Sequence, residues 1–283
     1  MKRKKKVARL KLKELALRTL RESGEDNVAG TAAELSYYFL LALFPLLIFL
    51  TSIIGFLPGV DNSMLTGLER ALPREAMNLV RDVLEDVVKH RSGGLLSFAL
   101  VGTLWAASSG VASLMDALNT AYDATETRPF WKRRLIALGL TLILALLVVG
   151  GSALIMLGHR MGDWLERTLD LRPALAFISN VVGYLTGFGL LLAGIAPVYD
   201  LGPNVEPSKR RVMPGALFAS IGTVIGSLLF SVYLRIVPSA SATYGSLGAV
   251  VTLMLWLYII GLLLLVGGEI NSEMPRGQGG RDA

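Results

Sequence analysis

Four ionisable side chains stand inside or at the ends of long apolar runs: Glu34, Asp116, Arg235 and Glu269. A charge at the centre of a bilayer costs roughly 2.5–3.5 kcal/mol or more, so such groups mark a polar path, a proton relay or the membrane interface. None of the acids is at the middle of a run, which argues against a relay of buried carboxylates. Glu34 has Tyr37 and Tyr38 one turn on, and Glu269 is followed by Asn271. Each acid either faces a polar cavity or sits at the interface. Pro45 lies deep in the first run, where it removes a backbone donor and is expected to kink the helix, as a hinge or as a static bend. The substrate-path candidates are therefore Glu34, Tyr37, Tyr38 and Pro45, and after them Asn119, Tyr122, Tyr244 and Glu269.

Other chemistry lacks its residues. The sequence has no Gly-xxxx-Gly-Lys-Ser/Thr phosphate loop and no His-Glu-x-x-His pair. It has 0 cysteines, hence no thiolate nucleophile or thiolate ligand. Its two histidines, His90 and His159, stand in separate segments. The acids Asp123, Glu126, Asp200 and Glu206 show no ligand spacing and read as solvated loop charges. No catalytic residue, metal or cofactor is expected, and the chain is not expected to be an enzyme.

The elements that carry these residues follow from hydropathy. Of 283 residues 53% are hydrophobic and 18% charged, and the charges gather in blocks. Six apolar runs cover residues 31–57, 95–118, 135–158, 174–197, 212–236 and 245–268. About 20 apolar residues suffice to cross a hydrocarbon core of about 30 Å as a helix. The runs are continuous rather than alternating, which favours helices over barrel strands. The fold class is an all-α membrane protein, a six-transmembrane-helix bundle. Small residues recur at packing intervals: Gly102, Ala106, Ser109, Gly110 and Ser113; Gly183, Gly187 and Gly194; Gly215, Ala219, Gly222 and Gly226. They are expected to let helices approach closely.

Basic residues cluster in 1–21, then at Arg128, Lys132, Arg133 and Arg134, then at Lys209, Arg210 and Arg211. With six spans all three groups fall on one side, so the positive-inside rule puts both termini in the cytoplasm. The net charge of +6 is thus a topology signal, and no nucleic-acid partner is expected. Residues 1–30 form a basic cytoplasmic arm with amphipathic character through Leu12, Leu15, Ala16 and Leu20. Its charges fix topology or rest on anionic lipid. Residues 31–273 make the transmembrane domain. In the long connection between spans 1 and 2, Leu79, Val80, Val83, Leu84 and Val87 have the spacing of an amphipathic helix on the outer face, a cap or a lid. Residues 274–283 read as a disordered tail.

The motifs, in order, are Ala33-Glu34-Leu35-Ser36-Tyr37-Tyr38 leading to Phe44-Pro45; Leu118-Asn119-Thr120-Ala121-Tyr122; and Arg128-Pro129-Phe130-Trp131-Lys132-Arg133-Arg134. Tyr199, Pro203-Asn204 and Met213-Pro214-Gly215-Ala216 follow, then Tyr244-Gly245-Ser246-Leu247-Gly248, Trp256-Leu257-Tyr258 and Gly267-Gly268-Glu269-Ile270-Asn271. Together they resemble the YihY/BrkB family of bacterial inner-membrane proteins. Glu34 and Ser36 depart from the small apolar residues expected there in many members. The resemblance implies six helices in the inner membrane. Some members have carried a ribonuclease name, which the residues above do not support. Others have been connected with serum resistance or with export of lipid and lipopolysaccharide.

The expected function is that of a transporter or flippase-like exporter of a lipidic or amphipathic envelope substrate. Its expected partners are membrane lipids and a lipidic or lipopolysaccharide-like substrate. The alternative is a scaffold for envelope assembly that transports nothing and docks partners through its basic loops.

Overall fold

The structure is a computed structural model that describes residues 2–56, 96–169, 172–206, 211–236 and 246–274. The connection holding the expected outer-face helix, Tyr244 and the expected tail beyond residue 274 lie outside the described residues. Among the described residues there are seven helices and no strand: α1 Lys2–Glu25, α2 Val28–Phe56, α3 Leu96–Ala121, α4 Phe130–Leu169, α5 Arg172–Leu201, α6 Met213–Ile236 and α7 Ser246–Glu273.

Four of these hold stretches long and apolar enough to cross a membrane: 130–151 of α4, 181–201 of α5, 213–236 of α6 and 250–273 of α7. The chain is therefore a membrane protein. α2 and α3 are also long, at 29 and 26 residues.

α4, α5 and α7 outrun the apolar runs that predicted them. α2 continues unbroken through Pro45 to Phe56. α5 continues through Pro197 to Leu201, where the run was expected to stop. Within a packed helix a proline tilts the axis, and neighbouring groups take up the freed carbonyl without ending the helix.

α7 is the hub of the packing, resting on α6, α2, α1 and α3. The buried core gathers at one end, around Leu35 of α2, Met115 and Leu118 of α3, Leu140 of α4, Tyr199 of α5, Ala216 of α6 and Leu265 of α7. This is the end where α1 packs on α7 and where Arg128 and Arg211 lie. We call it the basic end. Away from it, Val182, Tyr184, Leu185, Leu228 and Leu229 present broad apolar surface, as lipid-facing side chains do.

The small-residue stripes divide. Gly110 packs on Ala42, Gly194 on Leu144 and Gly222 on Leu263. Gly183 and Gly187, the direct Gly-xxx-Gly pair, have nothing within 4 Å of where a Cβ would stand. That pair was expected to seat a neighbouring helix. In the described chain it seats none, because α5 approaches α4 further along, at Gly194.

α1 and α2 are separated by a two-residue turn. Asn27 adopts φ 50°, in the left-handed region that asparagine tolerates better than most side chains. Arm and first long helix are thus separate rods joined at one hinge.

Candidate functional site

The structure sorts the expected site residues into two places. The first is a polar strip on the outer side of α2, α3 and α4. On α2, Glu34, Tyr37 and Leu41 are exposed, and Pro45 lies on the same face three turns from Glu34. Tyr37 meets Tyr38 edge to face, with ring centroids 5.6 Å apart. On α3, Trp105, Ser109, Ser113, Asp116 and Thr120 follow one another at three- or four-residue steps, so they share a face. Ser109, Asp116 and Thr120 are exposed on it. The Glu34 carboxylate lies within electrostatic reach of Asp116.

α4 supplies the cations of this strip. The Arg133 guanidinium forms an ion pair with Asp116. The Arg134 guanidinium donates to the Trp105 carbonyl and reaches Ser109 Oγ at 3.4 Å. Its Cζ stands 4.1 Å from the centre of the Trp105 ring. Such a cation–π contact is worth about 0.5–2 kcal/mol, depending on desolvation. Trp105, Phe130 and Trp131 form an exposed aromatic group around it. Asp116, Arg133, Arg134 and Ser109 were not among the expected path residues. The three-to-four-residue spacing on α3 was the signal for Ser109 and Asp116, where the stripe through Ser109 was read as packing in preference to substrate contact; Arg133 and Arg134 were read as a topology signal.

The second place is a buried polar lock at the basic end. Asn119 is buried near the end of α3. Its Nδ2 donates to Glu126 Oε2 at 2.9 Å, and its Oδ1 accepts from the Asn204 backbone N–H at 2.7 Å. Glu126 is the centre of a fork. The Arg128 side chain meets both carboxylate oxygens, at 2.8 and 2.6 Å. Arg128 then donates to the carbonyls of Leu201 at 3.1 Å and Gly202 at 2.8 Å. Glu126 was expected to be a solvated loop charge. Instead the Arg128 guanidinium, backed by the Arg128 backbone N–H and Asn119, holds its carboxyl down to about 2. Asp123 takes φ 49°, which turns the chain at the end of α3 and returns Glu126 to Asn119.

The same end holds the crossing of α6 and α7. α6 starts Met213-Pro214-Gly215, and Pro214 brings no backbone N–H to a turn that cannot use one. The N–H of Gly215 is capped from another helix, by Asn271 Oδ1 at 2.7 Å. Asn271 Nδ2 donates to the Val212 carbonyl at 3.3 Å. Tyr199, fully buried, donates from Oη to the Leu264 carbonyl at 2.6 Å. Tyr122 donates to the Arg211 carbonyl at 3.3 Å and so ties the turn after α3 to the start of α6. Glu269 is not at an open interface: it is 1% exposed, between α7 and the arm. Tyr199→Phe removes one buried donor at nearly constant volume. It is expected to cost about 1 kcal/mol, seen as a small drop in the thermal midpoint of the detergent-solubilised protein.

Several motifs that carried the resemblance, those around Asn119, Arg128, Tyr199, Asn204, Gly215 and Asn271, are therefore parts that close this end. The sequence profile described as virulence factor BrkB matches residues 19–283. The chain belongs to the BrkB family. This BrkB protein is 37% identical over 265 residues to the putative ribonuclease-like protein YfkH of Bacillus subtilis (strain 168), covering 94% of this chain and 95% of that one. It is 24% identical to a UPF0761 membrane protein of Pseudoalteromonas translucida (strain TAC 125), over 88% of this chain and 81% of the relative. A longer UPF0761 membrane protein, from Ralstonia nicotianae, is 24% identical over 94% of this chain and 59% of its own length. No solved structure matches.

Proposed function

We propose that this BrkB protein moves an amphipathic lipid across the bacterial inner membrane, its polar headgroup passing along the strip on α2, α3 and α4 while its tails stay in surrounding lipid. In this reading α2 and α3 join the four apolar stretches to give six spans. The basic end is cytoplasmic by the positive-inside rule, so both termini are cytoplasmic. The chemistry is binding and release, with no bond made or broken, and the ribonuclease-like name stays with the relative that carries it.

One observation carries this reading: ionisable and hydroxyl groups are exposed along helices that must face hydrocarbon. From Trp105 to Thr120 the polar face of α3 covers about 22 Å, most of the hydrocarbon thickness. Charges exposed to lipid are costly, and they persist where they meet a polar substrate or water. The Asp116–Arg133 pair lowers that cost, and a lipid headgroup with both a phosphate and an amine can replace each partner in turn.

The test is reconstitution into vesicles holding fluorescent phospholipids of zwitterionic and anionic headgroup, with and without a pH gradient. Transfer between leaflets is expected to rise several-fold above protein-free vesicles. The double replacement E34L/D116L is expected to remove most of the rise, with the chromatographic profile of the parent retained. Parent vesicles indistinguishable from empty ones for every lipid would overturn the proposal. Crosslinking that captured one stoichiometric envelope partner in that case would favour the scaffold.

A further inference from the structure

The contact between the arm and the bundle is built from acids. Glu269 of α7 is 1% exposed, and its Oε1 is buried with no hydrogen-bond partner. Its carboxyl lies within hydrogen-bonding reach of Asp26, the first residue of the hinge turn. Glu22 of α1 and Asp123 of the turn after α3 also act on it. Glu22 feels Glu273 at the end of α7, and only the neighbouring Arg21 offsets this. That Arg21 is itself tied to Glu25 at 2.8 Å.

Among the described residues, the other elements packed on α7 bring no compensating cation. α2 carries one ionisable acid, Glu34, which is exposed on the polar strip near Asp116. Asp116 and its partner Arg133 belong to that strip. α6 has no charged residue before Arg235, at its far end. Arg211 precedes α6 and is exposed, and its carbonyl takes the Tyr122 hydroxyl. Among the described residues no three acids or histidines converge well enough to hold a metal ion.

Two carboxylates in contact, the one buried and the other half-buried, repel each other too strongly for both to stay charged. One proton between them turns repulsion into a charge-assisted O–H···O⁻ bond, among the stronger hydrogen bonds proteins make. We propose that Asp26 and Glu269 form a proton-binding site whose single shared proton holds α1 against α7. When the proton leaves to water, two carboxylates face each other in the company of Glu22, Glu273 and Asp123. α1 then swings out about the Asn27 hinge. Glu22 is consistent with this field: lost hydration and the carboxylates of Glu25 and Glu273 push it above its ordinary value. The proposal does not rest on lipid movement, and vesicles that transferred no lipid would leave it standing.

The chain has 0 cysteines, so spin labels can be placed at will. Leu20 on α1 and Thr120 on α3 are both exposed. With L20C/T120C labelled in the full chain in lipid nanodiscs, the label separation is expected to be short at acid pH. A longer population should appear as pH rises. Glu269→Gln keeps a donor toward Asp26 and cannot ionise, so its separation is expected to stay short throughout. Asp26→Asn, in the turn rather than in a helix, is expected to do the same and serves if the Glu269 variant does not fold. A parent separation that ignores pH would overturn the proposal. So would an unchanged midpoint in a folded variant, or a response to magnesium or calcium at fixed pH in place of the response to protons.

Discussion

Gly215→Ala is expected to cause the largest loss of stability of any glycine-to-alanine change among the described residues. The added Cβ would stand 2.0 Å from the Gly267 carbonyl oxygen and 2.4 Å from Asn271 Nδ2. The first of these is backbone, which has no rotamer to change, so α6 and α7 must part. Parting them removes the cap on α6 and strains the Tyr199 bond to Leu264, whose Oη already lies 2.3 Å from where a Cβ on Gly267 would be. Overpacking a core typically costs about 1–3 kcal/mol. Adding the lost cap, worth about 1 kcal/mol, brings the expected total to about 2–4 kcal/mol. The measurement is thermal unfolding in detergent, followed by helical signal and by monodispersity. Gly183→Ala is the control. It meets nothing within 4 Å, and helix propensity alone should leave it unchanged or up to about 1 kcal/mol more stable. Equal midpoints for the two variants would show that the α6–α7 crossing is looser than described.

Arg128→Ala is expected to be comparably damaging, for an electrostatic reason. The Arg128 side chain is 8% exposed and that of Glu126 is 21% exposed. Removing the guanidinium leaves the carbonyls of Leu201 and Gly202 without this donor and the Glu126 carboxylate without its counter-charge, held only by Asn119 and the backbone N–H of residue 128. Breaking a buried pair on one side costs about 3–5 kcal/mol, a large share of the roughly 5–15 kcal/mol that holds a folded domain together. The double change E126Q/R128M is expected to recover part of the loss, because it leaves no lone charge. The pair also sets a pH window. Glu126 ionises at about 2 in the fold against 4.5 for the free side chain. Its contribution is therefore complete above about pH 4.5 and is lost as pH falls through about 2. Melting curves across that interval should fall more steeply for the parent than for Glu126→Gln. Parallel curves would remove Glu126 from the account.

The sequence made the helices and the family legible because both depend on local patterns. Continuous apolar runs mark helices that hold their own backbone bonds, and neither signal needs a distant partner. The ends were read less well. Pro197 read as a stop, yet the helix crosses it for one more turn because the surrounding bundle holds α5 in place. Polar residues at run ends, Asn119 and Glu269 among them, stood out by type. Their partners did not. Asn119 pairs with Asn204, and Arg128 with Leu201 and Gly202, across 73 to 85 positions of sequence. Glu126 and Arg128 are only two apart, but their bond matters because both are pulled into the bundle, which no spacing shows. The polar face of α3 was visible as a period. Deciding whether it faced protein or lipid required the positions of α2 and α4.

α4 is 40 residues long, about 60 Å of continuous rod. Its apolar run ends at Gly158, so residues 159–169 carry it about 16 Å further. That is about three turns of helix beyond the apolar run, enough to reach past a headgroup layer. A soluble envelope component could therefore grip this spar without touching lipid. Any tilt given to its tip would be delivered at the other end to Arg133 and Arg134.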